Sequence, residues 1–322
     1  MSRRFATLGD AGLMKKNKTV RGSLLLMLGA VVWGFAFAFQ RSGMDYMPPV
    51  SFNGIRNMMA GLCLCLVVRI MDRKMPDRPR PSTPEQKKAQ LQGGVLCGVL
   101  LFLASTLQQI GLVETTAGKA GFITALYVVL VPIAGALFFH RRVGRMICVS
   151  VALAVVGLFL LCVPAGEVFS ISRGDALILA CAVCFTGQIL TVDSFSPRVD
   201  CIRLSRDEFL ICGTLGVLVS LFTETITWDG FRQALPAMLY AGIISGALGY
   251  TLQILGQRDV NPTVASLLMC LESVFSVISG ALLLGERITP RESLGCVVMF
   301  AAVILAQISP LLRLQKKRRS EA

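Results

Sequence analysis

The chain has 322 residues, of which 54% are hydrophobic and only 16% charged, with a mean hydropathy of +0.67. That leaves too little polar surface for a soluble protein of this length, so the chain reads as an integral membrane protein. The formal net charge of +13 would suit nucleic acid, but the basic residues alternate by loop instead of forming one patch, which excludes that partner.

Residues 1–21 are basic, and the apolar run after them is too long for the core of a cleaved signal peptide, so it reads as a retained first span. Crossing roughly 30 Å of hydrocarbon as helix takes about 20 apolar residues, and such stretches recur at 22–40, 50–71, 91–112, 118–139, 144–164, 174–193, 208–224, 234–256, 262–284 and 291–310. The first carries Trp33-Gly34, a large ring beside a backbone that a neighbour can approach. The second carries Arg56, whose guanidinium either offers paired donors to a substrate acid or snorkels to the interface and holds its helix. The proline-rich connection 71–90 is the longest and reads as a loop. Gln108 and Gln109 in the third span, Gln188 in the sixth and Gln253 in the eighth either line a polar path or bind helices together. Tyr127 and Pro132 lie in the fourth, and Pro132 frees a backbone carbonyl there and is expected to bend it. Gly94-xxx-Gly98 and Gly242-xxx-Gly246 are expected to pack helices within the molecule. Residues 311–322 form a basic tail.

With the N-terminus placed in the cytoplasm, inner segments hold about 25 of the 32 Lys and Arg, the asymmetry of the positive-inside rule over an even number of spans. Both ends are then cytoplasmic. Eleven cysteines read as small packing residues, since most lie within spans; the Cys181/Cys184 pair lacks the further ligands a zinc site needs. Lys119 reads as an interfacial anchor and Glu286-Arg287 as a loop charge pair. With a single histidine, His140, no paired intramembrane acids and no nucleophile beside a base, neither an enzyme, a metal nor a cofactor is expected.

Slid against itself by 145 residues, the sequence aligns 106–143 with 251–288 without a gap: Gln108 meets Gln253, Gly135 meets Gly280 and Arg142 meets Arg287. A weaker match at another spacing pairs Arg21-Gly22 with Arg173-Gly174. The chain is therefore two halves of five spans, 22–164 and 165–310. Five is odd, so the halves enter the membrane in opposite senses. The expected fold is an all-α integral membrane protein of ten transmembrane helices in two inverted five-helix repeats, an architecture of secondary transporters with a midplane binding site.

Glu272 is the sharpest functional signal. It sits inside the ninth span, where a charge costs roughly 2.5–3.5 kcal/mol on insertion scales, so such groups face a bundle interior or wet cavity. The repeat places it opposite Tyr127, each about ten residues, roughly 15 Å, into its span. It either couples a proton or recognises a substrate amine, or forms an interhelical hydrogen bond as a neutral acid.

Trp33-Gly34, Arg56, the run TTAGKAGFITALYVVLVP at 115–132 and LLMCLESVFSVISGALLLGER at 267–287 together resemble the ten-helix EamA-type members of the drug/metabolite transporter superfamily. The resemblance spans about residues 20–310 and implies a central cavity between the halves. Ser273 stands where many members of that family carry proline. The expected function is a secondary transporter of the plasma membrane that moves a small metabolite, an amino acid or related compound, most readily outward. Its partners would be that substrate, the lipid bilayer and protons. The candidate site is Glu272, Tyr127, Arg56, Trp33, Gln108 and Gln253. Efflux of lipophilic cations, with Glu272 as counter-charge, and a non-transporting structural subunit are the alternatives.

Overall fold

A computed structural model describes residues 2–75, 80–115, 117–141, 143–163, 172–284 and 287–320. Ten helical rods cross in succession. The first three are α1 (Ser2–Met44), α2 (Pro49–Lys74) and α3 (Pro84–Glu114); the fourth is α4 (Ala117–Ala125) followed by α5 (Tyr127–Phe139); α6 is Arg145–Cys162. The second half begins with α7 (Arg173–Phe195) and α8 (Cys201–Thr223). Its third rod joins α9 (Trp228–Leu239), a π-helical stretch (Tyr240–Tyr250) and α10 (Thr251–Gln257). Its fourth joins α11 (Pro262–Met269) to α12 (Leu271–Leu284), and α13 is Pro290–Ser320. Among the described residues, nine of these are long and apolar enough to span a membrane. The rod missed by that measure is α8, whose first turns are charged. An even number of crossings puts both termini on one face.

Capping explains why several helices begin earlier than hydropathy indicates. Thr83 accepts from Gln86 N at 3.2 Å and the Gln86 side chain reaches back to Thr83 N, a reciprocal cap that starts α3 inside the expected 71–90 loop. Asp200 Oδ1 accepts from the nitrogens of Ile202 and Arg203, so α8 starts at Cys201, seven residues before the expected 208. The charges there are neutralised in place: Arg203 donates to both oxygens of Asp72 at 2.6 and 2.8 Å, and Arg206 pairs with Asp207. Helix α13 continues through the tail to Ser320. The fourth span is interrupted at Leu126 and not at Pro132, which lies within α5. The Lys119 side chain and Glu286 lie outside the described residues.

Cross-half packing follows the repeat. Residues of α2 and α8 correspond at a spacing of 152, that of Arg21 and Arg173. A Cβ on Gly61 would sit 2.9 Å from Leu210 N, and one on Gly213 would sit on Met58 N; the second contact is the repeat image of the first. Likewise Asp72, at the end of α2, holds Arg203 near the start of α8, while its equivalent Glu224, at the end of α8, accepts from Val50 N, Ser51 N and Ser51 Oγ at 2.6–3.0 Å near the start of α2. The predicted glycine pairs do pack within the molecule: Gly94 and Gly98 face Asp207 and Ile211 of α8, and Gly242 faces the Arg56 carbonyl. Because Gly213 meets backbone, Gly213→Ala is expected to cost about 1–3 kcal/mol by overpacking. Gly121→Ala, with nothing nearer than Cys162 Sγ at 3.9 Å, should leave stability unchanged. Thermal unfolding of the two variants in detergent checks the difference.

Candidate functional site: a cavity on the repeat axis

The two interrupted rods meet at the centre. Cys270 Sγ donates to the Ala125 carbonyl at 3.7 Å, a pair separated by 145 residues and therefore repeat-equivalent. Equivalent residues can touch only at the pseudo-twofold axis, so both breaks lie on it. Neither break contains proline or glycine. Each opens the helical ladder with an i to i−3 turn, from Leu126 N to Ile123 O and from Ser273 N to Cys270 O. Directly after them come Tyr127, first residue of α5, and Glu272, second of α12. Irregular backbone at membrane depth is tolerated where it is buried in protein or faces a cavity.

A cavity of about 640 Å³, open solvent at its mouth included, lies at this place. All six residues singled out from sequence line it: Trp33, Arg56, Gln108, Tyr127, Gln253 and Glu272. Its walls come largely in repeat-equivalent pairs: Trp33 with Phe185, Ser105 with Tyr250, Gln108 with Gln253, Thr124 with Met269, and Tyr127 with Glu272. The axis runs through the cavity, and each half supplies one wall.

The Arg56 side chain does not snorkel. The residue is only 6% exposed; one terminal nitrogen donates to Asn53 Oδ1 at 2.9 Å, its Nε has no partner, and it forms no ion pair among the described residues. Asn53 is held in turn by donating to Ser105 and Thr106 hydroxyls across the α2–α3 contact. A guanidinium fixed by a neutral amide keeps its full charge toward the cavity. Glu272 likewise has no hydrogen bond or ion pair among the described residues, so the expected alternative of an interhelical bond to a Gln or Ser is not found. The site presents an unneutralised cation and a free carboxyl to one space.

The amides divide their roles. Gln108 donates to Thr124 Oγ1 at 3.2 Å, tying α3 to α4. Gln253 donates to Gln188 Oε1 at 3.1 Å, and Gln188 donates to Glu208 Oε1 at 2.8 Å. Glu208, the first residue of the expected seventh span, is wholly buried in α8 and was not singled out from the sequence. Its charged neighbours put it at the edge of the expected span; Asp200 as a helix cap and the 152-residue spacing that pairs it with Arg56 are the signals that could have singled it out.

Trp33 donates its indole N–H to the Ser245 carbonyl at 3.1 Å, over Gly249, and meets Tyr250 edge to face at 5.0 Å between centroids. Ser245 belongs to the π-helical stretch. Such turns are rare and frequently mark functional sites; here Gly242 and Gly249 let the widened backbone lie against Arg56 and Trp33. Among the described residues no group of three or more His, Cys, Asp or Glu forms a metal site, and Cys181 and Cys184 are free.

The model of the EamA-like transporter family matches residues 20–163 and 172–307. The chain belongs to the EamA-like transporter family. A transporter of Archaeoglobus fulgidus is 28% identical over 90% of this chain and 87% of its own length. A probable amino-acid metabolite efflux pump of Salmonella typhimurium is 24% identical, covering 88% and 94%. The inner membrane transporter YedA of Escherichia coli is also 24% identical, covering 90% and 93%. A solved crystal structure with a TM-score of 0.71 and 17% identity covers 89% of this chain and 96% of its own, and shares the fold. This EamA-like protein is thus a multi-pass membrane transporter of the drug/metabolite type, built from two inverted repeats around a cavity lined by both polar and apolar side chains.

Proposed function

We propose that this transporter exports a small zwitterionic metabolite, an amino acid or close relative, across the plasma membrane by alternating access, with both termini cytoplasmic. Arg56 receives the substrate carboxylate, and Glu272 receives the ammonium or, in its absence, a proton. Trp33 and Tyr127 form the walls between them, while Gln108 and Gln253 supply matching donors and acceptors from the two halves. The observation that carries this reading is Arg56: a buried guanidinium with an orphan Nε and no acid partner among the described residues needs an anion. It also disfavours efflux of lipophilic cations, which would meet like charge in the cavity. The basic inner loops support the orientation, and the named activity of the Salmonella relative supports the substrate class.

The test is transport by purified protein in liposomes with a labelled amino-acid panel, with and without a pH gradient. Saturable movement of zwitterions is expected. Movement of cationic dyes without amino acids would overturn the substrate class, and no movement of either would favour the structural-subunit reading.

A further inference from the structure

Among the wall positions without a repeat partner in the cavity is Arg56. At the spacing that relates α2 to α8, the repeat equivalent of Arg56 is Glu208. Each is seven residues into its helix, about 10 Å, Glu208 from the terminus-bearing face and Arg56 from the opposite one. Arg56 lines the cavity. Glu208 is shut out of it behind Gln188 and Gln253: it is 0% exposed, one oxygen accepts from Gln188 and the other has no partner.

The titratable side chains around Glu208 are Cys97 of α3, Cys212 one turn on along α8, and Tyr250 of the π-helical stretch. Thiols and phenols are ordinarily neutral near pH 7. Arg56 acts electrostatically on Cys212 and Tyr250 but forms no ion pair with Glu208. A carboxylate sealed in that setting has no counter-charge, and enclosing an unpaired ion in a membrane interior is costly.

We infer that Glu208 is a second proton-binding site, exposed only when the transporter opens toward the face that bears the termini. The inference rests on the alternating-access reading. Inverted repeats reach the opposite-facing state by rocking one half against the other, which brings Glu208 to the cavity wall and seals Arg56. Closing the terminus-bearing side then requires one proton, taken from the water of that compartment onto the Glu208 carboxylate. A group reached from one side only does not carry protons across. It makes the conformational equilibrium depend on the pH of that compartment, separately from any gradient coupling at Glu272. In the sealed form the protonated carboxyl still accepts from Gln188 through Oε1, as seen here, while Oε2, without a partner among the described residues, carries the proton.

The test needs no substrate, so it stands apart from the test of substrate class. Hydrogen–deuterium exchange of the full-length protein in nanodiscs, corrected for intrinsic rates, is followed on either side of neutrality over residues 185–192, 204–215 and 250–257. The wild type should lose protection there as pH rises. Glu208→Gln, locked neutral, should stay protected throughout. Gln188→Leu removes the donor that favours the ionised form, so its transition should move to higher pH. That variant keeps the idea testable if Glu208→Gln does not fold. Protection in the wild type that ignores pH, a response retained in Glu208→Gln, or an unshifted transition in Gln188→Leu would each overturn the inference.

Discussion

Arg56→Gln should abolish specific transport of carboxylate-bearing substrates, because glutamine keeps a polar amide on the same helix face and removes both the charge and the terminal nitrogens, one of which binds Asn53. Truncating one partner of a buried, hydrogen-bonded charge pair costs about 2–5 kcal/mol, a weakening of roughly thirtyfold or more at about 1.4 kcal/mol per decade. Competition in counterflow between an amino acid and its carboxamide checks the assignment. Wild type should discriminate between them by that factor, and Arg56→Gln should treat them alike. Equal discrimination in both proteins would place the carboxylate elsewhere. Arg56→Lys should recover only part of the difference, since an ammonium lacks the planar fork that a carboxylate matches.

The second large effect is expected at Glu272. Glu272→Gln keeps volume and polarity but neither ionises nor releases a proton. In inside-out vesicles an acidic lumen should accelerate substrate accumulation by wild type several-fold. The variant should move substrate equally with and without the gradient. Because Glu272 makes no hydrogen bond in the described structure, the substitution breaks no existing contact, and its thermal stability should match wild type. A variant with unchanged gradient dependence would remove Glu272 from the coupling step.

Much of this architecture was legible in one sequence because membrane physics limits the alternatives. Spans must be long and apolar, internal self-similarity reveals the two halves, and their odd helix number inverts one against the other. Intramembrane charge is costly enough that Glu272 and Arg56 stand out, and repeat alignment alone pairs Gln108 with Gln253 and Tyr127 with Glu272. Their convergence on one cavity follows from the same symmetry, since the midplane residues of equivalent helices gather about the pseudo-twofold axis.

Three features depended on contacts that no local pattern encodes. The breaks at Leu126 and Cys270 carry no helix-breaking residue and lie where the two halves meet, so Pro132, the visible candidate, pointed six residues away. The π-helical stretch likewise depends on how closely Gly242 and Gly249 admit α2 and α1. Glu208 stood at the very edge of the expected seventh span, beside Arg203, Arg206 and Asp207, a run that reads as solvated loop; Asp72 from α2 binds Arg203, and the next turn of α8 carries Glu208 into the bundle. Hydropathy and repetition thus determined the number, order and inversion of the helices, because the bilayer imposes those terms on each segment by itself. Which charge is sealed and which faces the cavity was decided by tertiary structure alone, because it depends on the partner that each helix face meets.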